Sequence, residues 1–149
     1  MSIHLLIESM QKLLRLHKSL LELSLKKTGV LETEDIQALT QLLKEEQAHI
    51  LAIEKIEAER MRAASDRKLS DLLDEMPQPQ KGILEEISQE LRGVILKIQE
   101  QNELNTSLIS QSLKFISFSM SIVEPPQDDY NYGPKETGVS GKSLFSSKA

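Results

Sequence analysis

The stretch "NELNTSLISQSLKFISFSMSIV", Asn102 to Val123, holds two of the chain's three phenylalanines, interleaved with six serines. A helix turns by about 100° per residue, and at that pitch the segment resolves into two apolar stripes. Ile109, Leu113, Ile116, Met120 and Val123 form one. Leu104, Leu108, Phe115, Phe118 and Ile122 form the other, roughly 140° away. A helix packed on one side of a bundle needs a single stripe, so the first is expected to face the bundle. The second is left over and points to a helix-in-groove interaction with a partner.

Upstream of this stretch the apolar positions Ile83, Leu84, Ile87, Leu91, Val94, Ile95 and Ile98 keep the phase of the first stripe. The spacing therefore predicts one long helix from about Gln80 to Val123, with the extra stripe beginning at Leu104. Glu124-Pro125-Pro126 ends it. On the N-terminal side, "SDLLDEMPQPQKG" carries two prolines that exclude a continuous helix, leaving a short helical turn around Leu69 to Leu73.

The first helix is predicted from an N-cap at Ser2 to Lys27, along a seam of Ile3, Ile7, Met10, Leu14, His17 and Leu21. Lys26 and Lys27 suit its negative dipole end, and Thr28-Gly29 is the expected stop. The second helix is expected to open at Thr33 as N-cap, with Glu34 and Asp35 in its first turn. It reaches about Met61, more solvated than the first because Glu46, His49, Glu54 and Glu57 narrow its stripe. The fold class is all-α, an antiparallel bundle of three long helices within residues 1–123. Residues 124–149 are a Gly-, Ser- and Pro-rich tail with little to bury, expected to be disordered when alone.

Composition narrows the function. The chain of 149 residues has no cysteine and a net charge of −5, with basic residues scattered among acidic ones. Thiolate chemistry and disulfides are excluded, and a nucleic-acid partner is disfavoured. No apolar run is long enough for membrane insertion, which points to a cytoplasmic protein. Glu46-Gln47-Ala48-His49 matches the Glu-x-x-His element of carboxylate-bridged metal sites. Such a site needs a second copy and two further glutamates, so a solvated helix surface is the expectation. No phosphate loop, nucleophile elbow or triad is present, and neither enzymatic activity nor a cofactor is expected. The alternatives are a self-associating coiled-coil scaffold, whose second stripe binds another copy to give a homodimer, and a metal-carboxylate bundle enzyme.

"LLELSLKKTGVLETEDIQALTQLLKEEQAHILAIEKIEAERM", followed by a Pro-containing break, a long helix and a tail with Tyr-Gly, resembles the FlgN-like family of bacterial flagellar export chaperones. The resemblance implies a chaperone of type III protein export. Its cargo would be the hook-filament junction proteins, also called hook-associated proteins, held unassembled and brought to the export gate. It also implies cargo binding by the C-terminal segment of the last helix, which maps onto Leu104, Leu108, Phe115, Phe118 and Ile122. A tail Tyr-Gly pair that docks on the export-gate platform protein maps onto Tyr132 and Gly133. Here the next tail glycine is displaced to Gly138.

Overall fold

The structure, a computed structural model, describes residues 2–123. Five helices run through them, with no strand among the described residues: α1 (Ile3–Thr33), α2 (Ile36–Ala63), α3 (Leu69–Glu75), α4 (Gln80–Ser110) and α5 (Leu113–Val123). Ser2 caps α1 as expected, its hydroxyl accepting from the Leu5 amide at 3.3 Å. The short helix α3 and the start of α4 also fall as expected, on either side of Pro77 and Pro79.

Contacts fix the directions. Ser19 meets His49 and Lys27 meets Glu46, so α1 and α2 are antiparallel. Lys18 meets Glu90 and Thr28 meets Asn105, so α1 and α4 run the same way. Both α2 and α4 pack along α1, which is the central element. At one end α3 closes the bundle with Leu72, fully buried beside Leu6, Ala64, Met76 and Leu84. A two-pronged Arg67–Glu75 pair at 2.8 and 2.9 Å ties α3 to the turn before it. Those hydrogen bonds hold the Glu75 carboxyl below its ordinary value.

Two helix boundaries differ from expectation. The first helix does not stop at Thr28-Gly29. It continues to Thr33 and ends on Glu34, which takes the left-handed conformation at φ 56°. A glycine inside a helix costs about 1 kcal/mol relative to alanine. Burying Leu31, 3% exposed, against Leu39 and Phe115 contributes more than that. The cap of α2 is accordingly Asp35, whose carboxylate accepts from the Ala38 amide at 3.1 Å, and not Thr33.

The larger difference is at Gln111-Ser112. The continuous helix expected from Gln80 to Val123 is broken there, and α5 folds back over the corner between α1 and α2. Ser112 caps the new helix, accepting from the Phe115 amide at 3.4 Å and donating to Glu34 Oε1 at 2.9 Å. Lys114 Nζ donates to the Glu34 carbonyl at 2.9 Å. The residue that ends α1 thus also holds the start of α5.

Candidate functional site

The break resets the helical phase, and with it the two stripes. Phe115, expected on the outward stripe, is fully buried against Leu31 and Leu39, with Leu108, Ile109 and Phe118 packed around it. Met120, expected on the bundle stripe, is 50% exposed. The assignment of faces from a straight helix is corrected to this extent: α5 turns Phe115 inward and Met120 outward. Of the other expected cargo contacts, Leu104 is 47% and Ile122 44% exposed, while Leu108 and Phe118 are half-buried. Tyr132 and Gly133 lie outside the described residues, as does the whole segment 124–149.

Phe118 and Ile122 form one wall of a cleft of about 520 Å³, facing Thr40, Leu43, Gln47 and Ile50 of α2. Its lining is largely apolar, with Lys44 and Glu46 as the charged groups. α5 therefore stands off from α2 below the point where Phe115 seats, and its last turns leave apolar atoms in contact with solvent. Such a cleft can accept apolar side chains from a partner segment, with Leu104 and Met120 nearby in sequence as additional exposed apolar groups.

Behind the cleft lies a polar layer that sequence reasoning missed. Glu46 is buried and pairs with Lys27 at 2.5 Å, their side chains 12% and 4% exposed. This overturns the solvated-surface assignment of Glu46-x-x-His49. On the other flank of α1, Thr28 Oγ1 donates to Asn105 Oδ1 at 2.6 Å, and Asn105 Nδ2 donates to the Ser24 carbonyl at 2.9 Å. Gln101 donates to Thr28 Oγ1. The signal was present: Ser24, Lys27 and Thr28 occupy the inward phase of α1 between Leu23 and Leu31, and Asn102 and Asn105 continue the inward phase of α4.

His49 is held between two helices. Its Nδ1 faces the Glu45 carbonyl at 2.8 Å, so that nitrogen carries the proton and donates. Nε2 then accepts from the Ser19 hydroxyl at 2.8 Å. Both nitrogens are occupied, and among the described residues no group of three or more His, Asp or Glu side chains could hold a metal ion. His17, buried in the seam of α1, donates from Nδ1 to the Leu13 carbonyl at 2.7 Å, a local partner of the kind expected for a core histidine. No helix among the described residues is long and apolar enough to cross a membrane.

Comparison with known proteins adds to this geometry. A family model described as "FlgN protein" matches residues 1–138. A curated relative from Bacillus subtilis (strain 168), described as "Uncharacterized protein YvyG", is 31% identical over 160 aligned residues, covering 100% of both chains. No solved structure matches.

Proposed function

The chain belongs to the FlgN family, a family of flagellar export chaperones, and on that premise we propose that it binds hook-associated, hook-filament junction proteins. In this reading it works in the cytoplasm, keeps its cargo from assembling prematurely and delivers it to the export gate. It does so by binding, without catalysis or a cofactor. The observation that carries the reading is the cleft between α2 and α5. It is apolar, open to solvent and flanked by exposed Ile122, as an amphipathic cargo helix would require.

The proposed cargo contacts are Leu104, Leu108, Phe118 and Ile122, with Phe115 as the buried support beneath them. Burying the exposed half of Leu104 or Ile122 is worth about 1–1.5 kcal/mol. Four such side chains supply roughly 4–6 kcal/mol before ordering costs, so micromolar binding, about 8 kcal/mol, also draws on the α2 wall of the cleft and on the apolar surface that the cargo itself buries. Tyr132 and Gly133 are proposed to contact the export-gate platform protein, where a tyrosine can bury its ring face and hydrogen-bond through its hydroxyl.

Co-expression of the full chain with each hook-associated protein tests the reading. A stable soluble complex that forms with one of these cargoes is expected. If the chaperone recovers none of them and sediments instead as a dimer through the α5 surface, the self-associating scaffold is the better description.

A further inference from the structure

The cleft between α2 and α5 has one enclosed polar group among its apolar walls. Lys44 and Gln47 also line it, but both are exposed at the rim and keep their hydration whatever enters. Thr40 is half-buried, and its hydroxyl proton is already donated to the Ile36 carbonyl at 2.9 Å. Glu46 differs from these. Its side chain is 12% exposed, and Lys27 Nζ, reaching over from α1, holds its Oε2 at 2.5 Å. Among the described residues that ammonium is its one polar partner, and neither carboxylate oxygen is both fully buried and unpartnered. A carboxylate offers about four acceptor sites, so those that Lys27 leaves open rely on solvent in the cleft.

A cargo helix that fills the cleft removes that solvent. An apolar side chain set over Glu46 would leave an enclosed carboxylate short of donors, a penalty of about tenfold or more in affinity. A lysine or arginine there would bring a second cation to a carboxylate that Lys27 already neutralises, beside the Lys44 ammonium. An enclosed, uncompensated charge is costlier still. A neutral donor meets neither penalty. We propose that Glu46 sets the cargo preference of the cleft, which takes an amphipathic helix with one asparagine, glutamine, serine or threonine inside its apolar face, hydrogen-bonded to the Glu46 carboxylate. The inference rests on the proposed function and names the chemistry of the segment bound there.

A mutant cycle read by calorimetric titration of purified hook-associated protein tests it. On the chaperone side, Lys27→Met/Glu46→Leu makes the site apolar without leaving a lone charge. Glu46→Gln keeps the shape and gives a second cycle that does not depend on the double variant folding. On the cargo side, each Asn, Gln, Ser, Thr, Lys and Arg in the segment that the complex protects from proteolysis is replaced by alanine in turn. One neutral residue should lower affinity for the wild type about tenfold, and for either chaperone variant about threefold or less. No coupled residue, or coupling confined to a lysine or arginine, would overturn the inference. Ile122→Ser separates its failure from that of the function. If Ile122→Ser weakens binding and no neutral residue couples, only the cargo chemistry is wrong. If the wild type binds no hook-associated protein, or Ile122→Ser leaves binding unchanged, both fall.

Discussion

Ser112 Oγ donates to Glu34 Oε1 at 2.9 Å, across 78 residues of sequence. Through this bond the corner between α1 and α2 sets where α4 stops and α5 begins. Ser112→Ala removes both the tie and the helix cap. A loss of about 1 kcal/mol is expected, confined to α5. Circular dichroism should show a small drop in helicity, and thermal denaturation a shift of about 2–4 °C.

Gly29 lies inside α1, where a Cβ would meet nothing within 4 Å. Gly29→Ala should therefore stabilise the protein by about 0.5–1 kcal/mol through helix propensity alone. Gly93 in α4 has the same open surroundings, and the two gains should add because the sites are independent. Urea denaturation of both single variants and the double variant checks this.

The buried ion pair gives the opposite sign. Lys27→Met leaves the Glu46 carboxylate enclosed without its ammonium, a change that costs about 3–5 kcal/mol where burial is complete. Because the Glu46 side chain retains 12% exposure at the cleft, the low end of that range is expected. Adding Glu46→Leu should restore most of the loss, since the pair as a whole contributes little net stability. Denaturant midpoints of the single and double variants measure it.

Much of this fold is legible in sequence because long helices repeat their apolar residues every three or four positions. The Ser2 cap, the Pro77 and Pro79 break and the start of α4 at Gln80 all follow from local chemistry. The end of α1 does not, because Lys26-Lys27-Thr28-Gly29 imitates a helix terminus while Leu31 continues the buried stripe. The break at Gln111-Ser112 is also hidden. It has neither proline nor glycine, and its cause is tertiary: Ser112 and Lys114 find Glu34, and Phe115 finds Leu31. Because the break resets the helical phase, the straight-helix reading gave Phe115 and Met120 the wrong faces, while Ile122 stays exposed as expected. The polar layer was missed because Lys27 and Glu46 are charged, and charged residues are rarely buried unless paired.

Phe115 and Ile122 separate support from contact. Phe115→Ser removes a fully buried ring and places a hydroxyl among Leu31 and Leu39. It should destabilise the corner by about 3 kcal/mol or more. Ile122, 44% exposed, should tolerate serine within about 0.5 kcal/mol. Thermal denaturation of the two variants distinguishes them.

The central claim is that the cleft between α2 and α5, together with exposed Leu104 of α4, receives the cargo, and calorimetric titration of purified hook-associated protein into wild type and Leu104→Ser/Ile122→Ser tests it most directly. The wild type should bind with micromolar or tighter affinity. The double variant, still folded, should bind about 100-fold more weakly, from about 1–1.5 kcal/mol lost at each site. Unchanged affinity in a folded double variant would contradict the claim and place the cargo site elsewhere on the chain.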